Sequence, residues 1–381
     1  MESLVIDSAF WRDRRVFLTG HTGFKGSWLS LMLSRLDART VGYALAPPTE
    51  PALFRLASVG AVIEDRRGDI TDLDALMSAM IAAEPEIIIH MAAQPLVRQG
   101  YADPVATYRT NIMGSVNVLE AARSTTGVKV IVNVTTDKCY DNRDWVWGYR
   151  ETDGLGGRDP YSSSKACAEL VTAAYRASFL AESGIAVATA RAGNVVGGGD
   201  FAADRILPDA VRAFTAGQAL EVRFPKAVRP WQHVLEPLSG YLMLAEQAFR
   251  HGGDFADAWN FGPGGESERD VEALLGRLIK AWGPDAHWAP DRNAQKPEAH
   301  LLRLDTTKSR EKLNWRPLLD FDDMVAWTAE WYRAHARGDD MRALTLQQVD
   351  AYLALHQIFP LASPADAIAT EDHEYAAQRI A

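Results

Sequence analysis

Residues 128–134 read Val-Lys-Val-Ile-Val-Asn-Val, an apolar run with little of the alternation that a half-exposed strand shows. Such a strand is buried on both faces, as strands are in a parallel sheet sandwiched between helices. Glu86-Ile87-Ile88-Ile89-His90 repeats the texture, and shorter runs stand at 15–19, 40–45 and 185–190. Between them lie stretches suited to helices at 27–36, 73–83, 104–122 and 161–180. The alternation predicts an α/β fold, a doubly wound parallel sheet covered by helices. After Arg191 the pattern loosens. Residues 10–190 are therefore expected to form the sheet domain, and 191–335 mainly a smaller lobe with some segments returning to the sheet. Residues 336–381 are expected to hold a helix at 344–355 and a Pro-, Ala- and acid-rich tail of disordered character.

The first strand runs into Thr19-Gly20-His21-Thr22-Gly23-Phe24-Lys25-Gly26. Glycines at this spacing allow a tight turn, a close approach of backbone N–H groups to a pyrophosphate, and close packing of the next helix on the sheet. The helix N-terminus adds a dipole that favours an anion. A plain glycine turn is the bland alternative. The position after the first strand favours a dinucleotide site contacted by Gly20, Thr22, Gly23, Phe24, Lys25 and Gly26. The second strand runs into Ala44-Leu45-Ala46-Pro47-Pro48, with no acid to hold ribose hydroxyls. Lys25 even suits a 2′-phosphate, so these residues alone leave NAD against NADP open. Asp69 and Ile70 are candidates for the adenine side. Ala92, Ala93 and Gln94, small or polar at a strand end, are candidates for contact with the cofactor's backbone side. An exposed acid and ordinary strand-end packing are the competing readings of these two groups.

Tyr161 and Lys165 are four residues apart on an expected helix and share a face. An ammonium beside a phenol favours its ionised form, which equips the tyrosine to take a proton from a hydroxyl. Upstream, Thr135-Thr136-Asp137-Lys138-Cys139-Tyr140 closes the fifth strand, at the edge where parallel sheets bind ligands. Thr136, Tyr161 and Lys165 suffice for a redox step. Asp137 and Lys138 add the acid–base pair that elimination of water requires, or else form a local ion pair in an exposed turn.

The formal charge of −10 argues against nucleic acid as a partner. Two cysteines, Cys139 and Cys167, supply neither a disulfide framework nor a metal-ligand spacing, so no metal is expected. No run approaches the ~20 apolar residues of a membrane span, and the first fifteen residues lack the apolar core of a signal peptide. A cytoplasmic protein without membrane attachment is the expectation.

Taken together, the glycine loop with its continuation Ser27-Trp28-Leu29, the Thr136-Asp137-Lys138-Cys139-Tyr140 segment and the Tyr161–Lys165 pair resemble the CDP-glucose 4,6-dehydratases of the extended short-chain dehydrogenase/reductase superfamily. The resemblance extends through the stretch from Arg191 to Asp200, Arg229-Pro230-Trp231-Gln232-His233-Val234 and His300-Leu301-Leu302-Arg303-Leu304-Asp305, over about residues 10 to 335. Related sugar dehydratases carry Thr-Asp-Glu where this chain has Thr136-Asp137-Lys138. The resemblance implies NAD as cofactor, CDP-glucose as substrate and an intramolecular redox cycle giving CDP-4-keto-6-deoxyglucose. It implies that Tyr161 takes the C4 hydroxyl proton and that Asp137 protonates the departing C6 hydroxyl. Lys138 stands where the relatives' glutamate removes the C5 proton. As a base it must first lose its own proton, at about 4–5 kcal/mol near neutral pH; as a cation it would instead stabilise the enolate. Asn111 corresponds to an asparagine below the active site, Asn194 and Arg229 to diphosphate contacts, and Arg205 and His300 are further substrate candidates. The helices at 104–122 and 161–180 resemble the pair that forms a dimer interface, so a homodimer is expected. A nucleotide-sugar 4-epimerase or reductase would need only Thr136, Tyr161 and Lys165, and a non-catalytic dinucleotide-binding scaffold would need none of them.

Overall fold

The computed structural model describes residues 6–291 and 302–358. Seven strands form one sheet: β1 (Arg15–Thr19), β2 (Arg39–Ala44), β3 (Glu64–Arg67), β4 (Ile87–His90), β5 (Val130–Val134), β6 (Ala186–Ala192) and β7 (Ala258–Phe261). Their order is β7-β6-β5-β4-β1-β2-β3, and every neighbouring pair is parallel. This is a doubly wound sheet, with the order reversing between β1 and β4.

Successive side chains of each strand enter opposite layers. Val16, Leu18, Ile87, Ile89, Val130 and Val132 face one core with Trp28 and Leu29 of helix α1 (Phe24–Arg35). Phe17, Ile88, Ile131 and Val187 face the other with Leu76 and Met80 of α2 (Leu73–Ala83) and Val118 of α3 (Gly114–Arg123). A third cluster, including Leu207, Phe214, Leu274, Leu275 and Met324, packs the smaller lobe around α5 (Ile206–Thr215), which follows α4 (Pro160–Tyr175). Helices α6 (Leu235–His251) and α7 (Met341–Ile358) are linked by Tyr352, whose hydroxyl donates to Glu236 Oε2 at 2.7 Å. No helix among the described residues is long and apolar enough to cross a membrane.

Two expected helices differ in detail. The one read at 104–122 contains a π turn, Arg109–Met113, between Pro104–Tyr108 and α3. The one read at 161–180 ends in another, Arg176–Leu180. A π turn accommodates an extra residue and leaves the apolar period almost undisturbed, which hides it from a pattern reading.

Candidate active site

The strands β1, β4, β5 and β6 all end at one edge of the sheet, and the glycine loop lies over the crevice between β1 and β4. Gly20 adopts φ +79°, and a Cβ there would stand 2.7 Å from the Ala92 nitrogen. A Cβ on Gly26 would stand 2.1 Å from the Gly20 carbonyl oxygen. Both positions therefore require glycine, one to bring the loop onto the end of β4 and one to bring α1 onto the loop. Helix α1 begins at Phe24, three residues before the expected start, because Gly23 is its extended cap and caps it with no side-chain hydrogen bond. The first-turn amides face the loop without a side-chain cap, which fits a diphosphate. The Thr22 hydroxyl donates to the Leu45 carbonyl at 3.0 Å and ties the loop to the end of β2. Phe24 lies against Gly197 in the turn beyond β6.

The acid that the end of β2 lacks has a counterpart on β3, beside the glycine loop. Asp65 Oδ1 lies 2.8 Å from His21 Nε2, and the His21 ring fills the space that a side chain on Gly42 would need. Burial pulls the His21 pKa below its usual value, with Asp65 acting the other way. Asp69 is exposed and accepts from the Thr71 amide, while Ile70 is buried against Gly114. Lys25 does not turn to this side. The charged groups nearest its amine are Arg205, Lys165 and Asp137, so the idea of a 2′-phosphate contact gives way to a place near the catalytic groups.

Asn111, in the π turn, is 2 % exposed. Its Oδ1 accepts from the Gln94 amide at 2.8 Å, and its Nδ2 donates to the Gln94 carbonyl and to Ser164 Oγ. Ser164 in turn donates to the Tyr161 carbonyl. Asn111 thus fixes the strand-end segment carrying Ala92, Ala93 and Gln94 against the helix carrying Tyr161 and Lys165. A second chain of contacts runs alongside. His90 bridges Thr19 Oγ1 at 2.7 Å and Ser115 Oγ at 3.2 Å, and Ser115 donates to the Asn111 carbonyl. Burial holds His90 neutral, with its pKa pulled down to about 3.

Thr136, Asp137, Tyr161 and Lys165 are buried together, whereas Lys138 is exposed. Thr136 donates to Asp137 Oδ1 at 2.9 Å. A Cβ on Gly193 would lie 2.9 Å from Asp137 Oδ2, so glycine at the bend beyond β6 leaves the acid its present position. Burial raises the Asp137 pKa against the pull of Lys138, Thr136 and Lys25, which favours a protonated donor. Burial also pushes Tyr161 up to about 12, with Thr136 and Arg205 favouring the phenolate. The Lys165 ammonium donates to the Val134 carbonyl at 3.1 Å, and burial pulls it down to about 8. The shared helix face is as expected; the cation acting on Tyr161 here is Arg205.

Arg205 caps the start of α5 and pairs with Asp200 at 2.8 Å. Asn194 lies just beyond Gly193, its carbonyl accepting from the Gln232 amide. Arg229 sits on a short strand, Val228–Pro230, paired antiparallel with Glu268–Asp270. His300 lies outside the described residues.

Three groups escaped the sequence reading. Asp65 lies on β3, whereas the sequence reading looks for an acid at the end of β2 and finds none there. Glu169 was legible, since it continues the Tyr161, Lys165 spacing by one more turn. It accepts from the Thr135 and Thr189 hydroxyls and pairs with Arg191. Arg191 begins the Arg191–Asp200 stretch with no role expected of it; it also donates to the Tyr140 hydroxyl at 2.7 Å.

Comparison with known proteins agrees with this architecture. A CDP-glucose 4,6-dehydratase from Salmonella typhimurium is 46% identical over 355 residues, 92% of this chain and 99% of that protein. A dTDP-glucose 4,6-dehydratase from Streptomyces antibioticus is 30% identical, covering 84% of this chain and 92% of its own. Among solved structures, a dTDP-glucose 4,6-dehydratase from Streptomyces venezuelae with NAD bound superposes with a TM-score of 0.72 at 25% identity, covering 86% of this chain and 99% of that one. A UDP-glucose 4-epimerase from Thermotoga maritima, at 21% identity, a TM-score of 0.72 and coverage of 84% and 99%, shares the fold. The GDP-mannose 4,6 dehydratase family model matches residues 17–328, strand β1 through most of the smaller lobe, and this chain belongs to that family.

Proposed function

We propose that this chain is a CDP-glucose 4,6-dehydratase that uses NAD to convert CDP-D-glucose to CDP-4-keto-6-deoxy-D-glucose. The observation that carries the reading is 46% identity over 92% of the chain to an enzyme of that name. The uncapped start of α1 and the glycine cradle suit the cofactor's diphosphate. When bound, NAD would supply the hydride acceptor for oxidation at C4 and the hydride donor for C6, with a proton regained at C5.

The chain's own groups manage protons and orientation. Tyr161 takes the C4 hydroxyl proton; the Thr136 hydroxyl and nearby positive charge favour the phenolate it must use. Lys165, on the same helix as Tyr161 and donating to the Val134 carbonyl, would help to hold the cofactor beside the tyrosine. The new C4 ketone acidifies C5, and water leaves across C5–C6. Asp137, buried and biased toward its acid form, gives the C6 hydroxyl the proton it leaves with. Lys138 opens toward solvent from the same turn and is assigned the C5 proton. Asn194, Arg205 and Arg229 are assigned to the nucleotide sugar, whose phosphates suit guanidinium groups. Gln94 and Asn111 hold the cofactor-facing segment in place.

On this reading the enzyme is cytoplasmic and homodimeric. Tyr101, Val105, Tyr108 and Met113 leave an exposed apolar stripe on the 97–113 segment, and Leu170 and Phe179 extend it on the catalytic helix and its π turn. A second copy covers such a stripe, and light scattering should give twice the chain mass.

The deciding experiment incubates the protein with CDP-, UDP-, dTDP- and GDP-glucose and follows the alkali-induced absorbance of a 4-keto-6-deoxy sugar. Signal with CDP-glucose alone is the expected result. Substrate deuterated at C4 should yield product deuterated at C6; return of the label to C4 would mark an epimerase. Lys138→Ala should leave C4 oxidation intact and slow release of the C5 proton into solvent.

A further inference from the structure

We infer that Lys25 is a cation reserved for the dinucleotide's diphosphate, so that binding of the cofactor draws a proton from solvent onto the Lys25 amine. The inference rests on the cofactor reading above.

Lys25 is the second residue of α1, half-buried at the mouth of the glycine loop. Its amine makes no hydrogen bond or ion pair among the described residues; its nearest specific contact is the Tyr241 ring of α6, 5.9 Å from the ammonium. The charged groups facing it come from three other elements: Arg205 at the start of α5, Lys165 of α4 and Asp137 after β5. None serves as its counter-ion. Arg205 and Lys165 are cations, and Asp137 is a buried acid already engaged with Thr136 and biased toward its protonated form. A half-buried ammonium among other cations, beside a loop shaped for an anion, is a group awaiting negative charge.

Burial and then the charges of Arg205 and Lys165 pull the Lys25 pKa down to about 7, against the weaker opposing effect of Asp137. Near neutral pH the group is therefore divided between amine and ammonium. The two negative charges of a dinucleotide diphosphate held by the glycine loop would favour the ammonium and raise its pKa. Each amine that converts takes one proton from the buffer, no bond to the cofactor forms, and affinity falls as pH rises through and above neutrality.

The test is calorimetric titration of cofactor-stripped protein with NADH near pH 7, in buffers of different ionisation enthalpy. The wild type is expected to take up roughly half a proton per site. Lys25→Met should abolish the uptake and weaken binding about 10- to 100-fold, as expected for losing a charged hydrogen-bond donor. Lys25→Arg, permanently charged, should restore much of the affinity with no proton uptake. Binding by the wild type without proton uptake, or uptake that persists in Lys25→Met, would overturn the inference and leave the cofactor reading intact. A wild type that binds no dinucleotide would overturn both.

Discussion

Glu169 and Arg191 form an ion pair 2.8 Å long in which each side chain is 3% exposed, directly behind the strand end that carries Thr136 and Asp137. The carboxylate is saturated by Arg191 and two threonine hydroxyls, which hold its pKa below the usual value despite burial. Glu169→Gln leaves a buried guanidinium without its counter-ion. The expected loss is about 3–5 kcal/mol of stability, measured by chemical denaturation, with partial recovery when Arg191→Met is added. The same change removes the negative charge that supports the Lys165 ammonium against burial. The alkaline limb of the rate profile should move to lower pH.

Gly193→Ala tests the fit of the acid. The added methyl would meet Asp137 Oδ2 at 2.9 Å, and the backbone angle there is not one that demands glycine. The fold should survive with a cost of about 1–3 kcal/mol. Turnover should fall at least tenfold with little change in KM, because the carboxyl group is displaced while the binding surfaces stay.

Asp137→Asn should divide the reaction. The isosteric amide keeps the hydrogen bond with Thr136 but supplies no acidic proton, so turnover should fall by about 10²- to 10⁴-fold. Oxidation at C4 needs Tyr161 instead, so the absorbance of reduced nicotinamide should accumulate after mixing with substrate. Absence of that signal would mean that Asp137 serves the first step as well.

Glu236, fully buried, ties α6 to the C-terminal helix through Tyr352 and also accepts from the Leu318 and Leu319 amides. Burial raises its pKa to about 7, whereas an unfolded glutamate titrates near 4.5. The folded state therefore binds this proton more tightly. The associated stability is complete below the unfolded value and is lost as pH rises through about 7, up to about 3 kcal/mol. Thermal melts across that range should show the loss, and Glu236→Gln should flatten it.

The sheet was legible because burial on both faces leaves an unmistakable run, and residues 73–83 matched their helix to the residue because Asp72 caps it and the apolar period is unbroken. The Tyr161–Lys165 face and the loop glycines were legible for the same local reason. Placement across the sheet was not. His21 finds its acid on β3, forty-four residues away. Lys25 faces Lys165 and Asp137 because the crevice between β1 and β4 opens toward them, which no neighbouring residue announces. Lys138 turned outward although it adjoins a buried Asp137, because a 3₁₀ turn at Asp137–Cys139 separates their directions.

The π turn at Arg109–Met113 shifts the phase of its helix by one residue, about 100° of rotation. Upstream, Val105 and Tyr108 point outward; at the turn itself, Asn111 points in. One rod thereby satisfies two audiences whose demands a regular helix would set against each other. Removing a single residue there would restore the ordinary pitch, and the molecule would have to choose between its outer surface and the footing of its own catalytic helix.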